Sequence, residues 1–331
     1  MSSLNQFKIN NDVNASTVNA STVNSNLINT NQIDATSANI GNLVISNFDI
    51  PAGGELKIGG VHVLSTPVNG TSLSLGNTIP TNQGTNGIIV GAGNGVSNQG
   101  ISAISIGTAS GVISQGAGSI AIGTSTGVTS QGTDSIALGN NAGQTNQGGN
   151  SVAIGRNCGL SAQSANSIAI GTNAGQTSQG LGAISIGVTS GEINQGVASI
   201  AIGTLAGNDN QGTNCIAIGN TAGNDGQSNN SIAIGDGAGS SSQGINSIAI
   251  GTDAGRVLLG SNSICIGNGS TSNGFNNTIV IGVNNEAGAD NELVLGSLTT
   301  PLVTAPTAGA ANGFLFIRIN GLTRKIQLFD M

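Results

Sequence analysis

From about residue 70 onward, bursts of alternating aliphatic and small residues return every sixteen positions. One aliphatic column runs Ile88, Ile104, Ile120, Ile136, Val152, Ile168, Ile184, Ile200, Ile216, Ile232, Ile248 and Ile264. A second lies two residues on: Val90, Ile106, Ile122, Leu138, Ile154, Ile170, Ile186, Ile202, Ile218, Ile234, Ile250 and Ile266. Aliphatic, mostly β-branched residues at period two predict a short strand rather than a helix. Each strand ends on a glycine, and Gly91, Gly107, Gly123, Gly139, Gly155, Gly171, Gly187, Gly203, Gly219, Gly235, Gly251 and Gly267 keep the step without insertion or deletion. A period this strict marks a solenoid in which each repeat is one coil stacked on the last.

Between the two aliphatic columns stands a column of small residues: Ala121, Ala137, Ala153, Ala169, Ala201, Ala217, Ala233 and Ala249, with Ser105, Ser185 and Cys265 among them and Ile89 as the bulky exception. A face open to water would carry Thr, Lys, Asn or Glu, so both faces of the strand are expected to be buried, one in the coil's lumen and one against a neighbour. A coil this thin is marginal alone, because the ordering of sixteen backbones opposes a small apolar burial. The remedy expected is oligomerisation through the Ala/Ser face, as a homotrimer.

A second glycine column follows four residues later, from Gly95 and Gly111 to Gly239 and Gly255, and predicts a tight turn with positive φ or close backbone approach. The polar stretch after it reads as an outward strand. It ends on Gln83, Gln99, Gln115, Gln131, Gln147, Gln163, Gln179, Gln195, Gln211, Gln227 and Gln243. Stacked amides about 4.8 Å apart can bond to one another as a ladder, with a ligand-binding row as the alternative.

The beat loosens at both ends, where Leu73–Gly76, Ile279–Gly282 and Leu293–Gly296 read as atypical end repeats. This predicts a segment 1–50, rich in Asn, Ser and Thr with apolar residues five apart (Val13, Val18, Val23, Ile28), as a β-structured stalk or a disordered attachment tail. Residues 51–69 are transition strands, 70–297 the solenoid, 298–312 a linker and 313–331 a β-hairpin signalled by Asn320-Gly321 between two apolar runs. That hairpin gathers Phe314, Phe316, Arg318, Arg324, Lys325 and Phe329, the aromatic and basic types that dominate binding hot spots, and is either a recognition tip or a cap that knits chains together.

Composition narrows the function classes. The 331 residues include 55 Gly, 6% charged residues and no Trp or Tyr, which suits a thin aliphatic fibre better than an aromatic-filled globule. The net charge of −7 comes from scattered single acids, so a nucleic-acid interface is not expected. No stretch has the length of a membrane span, and Met1-Ser-Ser-Leu-Asn-Gln has neither the charged nor the apolar segment of a signal peptide.

No catalytic, cofactor or metal site is predicted. The one histidine, His62, lies in a short apolar run. Cys158, Cys215 and Cys265 occupy three different small-residue columns and read as buried free thiols, neither a zinc set nor a disulfide framework. A flat ice-binding rank would need regular threonines, but Thr108, Thr124, Thr172, Thr204 and Thr252 share their column with Ala92, Asn140, Arg156, Val188, Asn220 and Asp236. A carbohydrate-active solenoid would need clustered carboxylates, and these are dispersed.

The strand and turn of Ser167-Ile-Ala-Ile-Gly171-Thr-Asn-Ala-Gly175 resemble the head repeats of YadA-type trimeric autotransporter adhesins, over about residues 70–297. The resemblance implies a left-handed parallel β-roll, packed or intertwined as a trimer and serving adhesion. The chain departs from that family in lacking its heptad stalk and membrane barrel, and its coils are slightly longer. Freestanding use of such a head resembles fibres of large DNA viruses and phages. The expectation is therefore an all-β homotrimeric fibre of a virion or extracellular surface, joined through its N-terminal region to a capsid or particle protein and distally to a host receptor or glycan. A self-assembling filament or surface-layer protein is the alternative.

Overall fold

The computed structural model describes residues 81–295 continuously and, outside them, the strand segments 7–8, 23–24, 55–58, 61–65, 73–75, 313–319 and 322–328. Two units are distinguished, Met1–Asp49 and Ile50–Met331. In the first, Phe7–Lys8 pairs in parallel with Val23–Asn24, an offset of one sixteen-residue coil. The five-residue beat falls otherwise outside the described residues.

The second unit holds a parallel β-solenoid. Its main sheet stacks one strand per coil, from Leu73–Leu75 through Ile168–Ile170 to Leu293–Leu295, each in register with the last: Ile168↔Ile184, Ala169↔Ser185, Ile170↔Ile186. Fourteen steps at about 4.8 Å make a stack about 65 Å long. The offset shortens to fifteen residues at Ile264↔Ile279 and fourteen at Ile279↔Leu293, so the C-terminal coils are smaller, as the loosened beat predicted. At the other end the antiparallel strands Glu55–Ile58 and Val61–Ser65 pair onto Leu73–Leu75. They turn the exposed parallel edge into a hairpin, a common protection of a sheet edge. His62 sits in that hairpin opposite Lys57.

A second sheet is formed by three-residue strands that end on the glutamines, such as Thr129–Gln131 and Thr177–Gln179, again paired coil to coil. Their central residue is left-handed: Ser130 has φ 55°, Ser178 56° and Leu258 53°. Two further left-handed columns, one through Asn150, Asn166 and Asn230 and one through Asn141, Asn157 and Asn173, make corners where Asn tolerates positive φ better than most residues. The two glycine columns meet both expectations placed on them. Gly171 has φ +130°, and a Cβ there would stand 2.3 Å from the Gly187 carbonyl oxygen of the next coil. Gly175 has φ +52°, with a Cβ reaching 2.9 Å from the Gln179 amide inside the coil.

The main correction concerns the two faces of the repeat strand. Ala121, Ala137, Ala153, Ala169, Ala201, Ala217, Ala233 and Ala249 are fully buried within one isolated chain and fill the lumen. The Ala/Ser face is therefore unavailable to a neighbour. The aliphatic columns on either side face outward and stay half-exposed, with Ile122, Ile186, Ile218 and Ile250 each 37% accessible. The reason is room. The lumen already holds a buried serine (Ser167), a second small column (Ala174), a turn glycine and the glutamine, and no space remains for Ile.

At the C-terminal end the strands Gly313–Ile319 and Leu322–Leu328 form the antiparallel hairpin predicted around Asn320-Gly321, with Ile319 opposite Leu322. The linker 298–312 lies outside the described residues.

Candidate functional site

Three kinds of columns run along the solenoid: lumenal amides, surface amides, and the aliphatic face with its edges. The glutamines were expected on an outward strand. They are instead buried, and Gln147, Gln163, Gln179, Gln211, Gln227 and Gln243 are among the largest fully enclosed side chains. Each amide crosses the lumen to the opposite wall of its own coil: Gln147 Nε2 donates to the Ile136 carbonyl and Gln179 Nε2 to that of Ile168, both at 2.8 Å. The same bond recurs from Gln99, Gln115, Gln131, Gln163, Gln195, Gln211, Gln227 and Gln243. The predicted amide-to-amide ladder runs Gln179→Gln195→Gln211→Gln227, at 3.0–3.2 Å. The glutamine is thus chiefly a strut between two walls. From Gln99 to Gln243 the row is buried at 1–3% exposure and closed to a ligand, while Gln83 in the first coil is half-buried.

Surface amides make the ladder that sequence reasoning assigned to glutamine. Asn214, Asn230, Asn246, Asn262, Asn277 and Asn291 form an unbroken chain of Nδ2-to-Oδ1 bonds of 3.0–3.3 Å. Asn141, Asn157 and Asn173 form a shorter one. The signal was present as Asn recurring at sixteen. A third glycine column, Gly100, Gly116, Gly132, Gly148, Gly180 and Gly196, was also passed over. A Cβ at Gly116 would stand 2.4 Å from the backbone of the next coil.

The three cysteines are buried free thiols, as expected. Loss of solvation pushes the Cys158 and Cys265 thiols up to about 12, and the Ser272 backbone works weakly against this at Cys265. Protonated, enclosed thiols are poor nucleophiles and poor metal ligands. Among the described residues no group of three or more His, Cys, Asp or Glu side chains could hold a metal ion. Among the described residues no helix is long and apolar enough to cross a membrane.

Among the tip residues, Phe314, Phe316 and Arg318 lie in the first hairpin strand and Arg324 and Lys325 in the second, where Phe316 pairs with Lys325 and Ile317 with Arg324. Phe329 lies outside the described residues. The structure therefore does bring five of the six into one hairpin.

What remains as an interaction surface is the aliphatic face. Two outward columns about 7 Å apart run the length of the stack and present a nearly continuous, half-exposed apolar surface. One edge carries the column of Thr108, Thr124, Thr172 and Arg156, and the other the left-handed column of Asp134, Asn150 and Asn166. An apolar centre between polar borders is the anatomy of a protein interface. Comparison with protein-family models, with curated proteins and with solved structures finds no match.

Proposed function

We propose that the chain is a structural fibre subunit. Three copies pack their aliphatic faces around a common axis, and the fibre projects from a particle or cell surface to mediate attachment without catalysis. The observation that carries this reading is the outward Ile face. Monomeric soluble proteins rarely expose contiguous apolar patches beyond a few hundred Å², whereas a stable interface buries about 800 Å² per partner. A double row of half-exposed aliphatics along a stack about 65 Å long passes the first of these limits. The chain's resemblance to YadA-type heads favours three copies and a left-handed roll, and the solenoid's repetitive, sparsely charged surface suits a spacer. In this scheme the N-terminal region joins the particle, and the hairpin of Phe314, Phe316, Arg318, Arg324, Lys325 and Phe329 caps the fibre or meets a receptor or glycan.

Sedimentation equilibrium of the full chain tests the assembly. Three times 32.1 kDa is expected, and a mass of 32.1 kDa at micromolar concentration overturns it. Removal of residues 313–331 divides the roles of the hairpin. A trimer that persists but no longer binds its target surface supports a recognition tip, and loss of the trimer makes the hairpin a cap. An open-ended, concentration-dependent mass favours the filament or surface-layer alternative.

A further inference from the structure

The borders of the aliphatic face carry few charges, Arg156 and Asp236 on the strand-end edge and Asp134 on the strand-start edge, and their placement bears on how copies align. Arg156 lies two residues after Ile154, on the edge where each strand ends, and is exposed. Asp134 lies two residues before Ile136, on the edge where each strand begins, and is also exposed. Their strands are adjacent, Ile136 pairing with Val152, so the two charges stand one coil apart along the axis, about 4.8 Å. Within its own chain neither side chain has a described ion-pair partner. The other arginine of the stack, Arg256, has Asp253 at 3.5 Å.

We propose that Arg156 of one copy pairs with Asp134 of the next and that this contact favours a parallel over an antiparallel assembly. The inference rests on the Ile face being the association surface. Symmetry supplies the rest of the argument. Rotation about an axis parallel to the solenoid, in a dimer or a trimer, brings the strand-end edge of one copy against the strand-start edge of its neighbour. Arg156 then meets Asn150 at its own level and Asp134 one coil away, within reach of an arginine. On the same seam Asp236, the acid of the strand-end edge, faces Asn230 and the coils beside it, so no like charges meet. An antiparallel two-fold arrangement instead brings like edges together and would oppose Arg156 to Asp236. Asp236 already accepts a 2.8 Å hydrogen bond from Asn220 along its own edge, whereas Asp134 has no such donor. The free acid favours the parallel arrangement. Rotation about a parallel axis itself keeps the copies level, so what the pair selects is direction, the role in which interfacial charges act most clearly.

The test uses the full chain with Cys158→Ala, Cys215→Ser and Cys265→Ala, each a residue that neighbouring coils carry in that column. Into this background go Arg156→Cys with Asp134→Cys, Arg156→Cys with Asp236→Cys, and each cysteine alone, treated with a short bis-maleimide and run on a denaturing gel. The proposal predicts covalent multimers closing at the native copy number for the first pair and little product for the others. Predominant cross-linking of the Arg156→Cys, Asp236→Cys pair, or of the single variants, overturns it in favour of antiparallel packing. A native monomer in the uncross-linked background overturns the assembly itself, whereas a native oligomer that none of these pairs cross-links overturns only the Arg156–Asp134 pairing. As a second readout, Arg156→Asp should weaken association about tenfold and Arg156→Asp with Asp134→Arg should restore it. Equal affinity for all three proteins contradicts the pairing.

Discussion

Ala169 and Ile170 are neighbours in one strand, yet they belong to different environments. Ala169 is sealed in a lumen shared with Ser167, Ala174 and Gln179, while Ile170 looks outward beside Ile154 and Ile186. In most β-proteins the bulky residue of an alternating pair goes inside and the small or polar one outside. Here the order is reversed, because a sixteen-residue coil with five inward positions encloses too little space for branched side chains. The lumen is closed by close backbone approach and amide struts, and the apolar surface is left for something outside the coil. The contrast teaches that burial within one chain and hydrophobicity are separable in a thin solenoid, and that the second points to partners.

The sharpest way to break the comparison is to place the same charge on each side of it. Ala169→Lys puts an unpaired ammonium and three extra carbons into a filled lumen, and should cost more than about 4 kcal/mol and abolish folding, read by circular dichroism. Removing a strut is milder. Gln147→Ala removes the side-chain hydrogen bond to the Ile136 carbonyl and opens a small void, so a loss of about 2 kcal/mol in denaturant unfolding is expected.

The thiols probe the lumen by pH. Burial pushes the Cys158 and Cys265 thiols up to about 12 against an ordinary 9.0, so the folded chain holds these two protons longer than the unfolded one. Stability from this source is fully present below pH 9 and is lost as pH rises from 9 to 12. Cys158→Ala should flatten the alkaline fall of the melting temperature relative to wild type, and an unchanged slope would show that this thiol is accessible.

The smallest effect concerns the strain at the corners. Leu258 is held at φ 53° and is 56% exposed, with Asn or Ser at most equivalent positions in other coils. Leu258→Asn should therefore stabilise the fold by about 0.5–1 kcal/mol, seen as a raised thermal midpoint.

Much of this architecture was legible because the repeat writes every coil in the same columns. The strands, the glycine step, the end coils, the buried cysteines and the hairpin around Asn320-Gly321 follow from spacing alone. Which side of the strand faced inward was not legible, since alternation says that Ile168 and Ala169 point apart and nothing about which space is larger. That depended on the left-handed residue inside the second strand, at Ser178 and its equivalents, which lets Gln179 turn into the lumen and take up the room. The Asn ladders were missed for a related reason, because Gln was given the stacking role that its burial largely diverts to the strand carbonyls.

The central claim is that the outward Ile face, rather than the Ala face, joins copies of the chain. Its most direct test is the mass in solution, with circular dichroism alongside, of a variant carrying Ile168→Lys and Ile200→Lys. Both positions are outward and half-buried in the single chain. The account predicts a β-rich, cooperatively folding protein of 32.1 kDa where the wild type has three times that mass. A folded variant that keeps the wild-type oligomeric mass would contradict it.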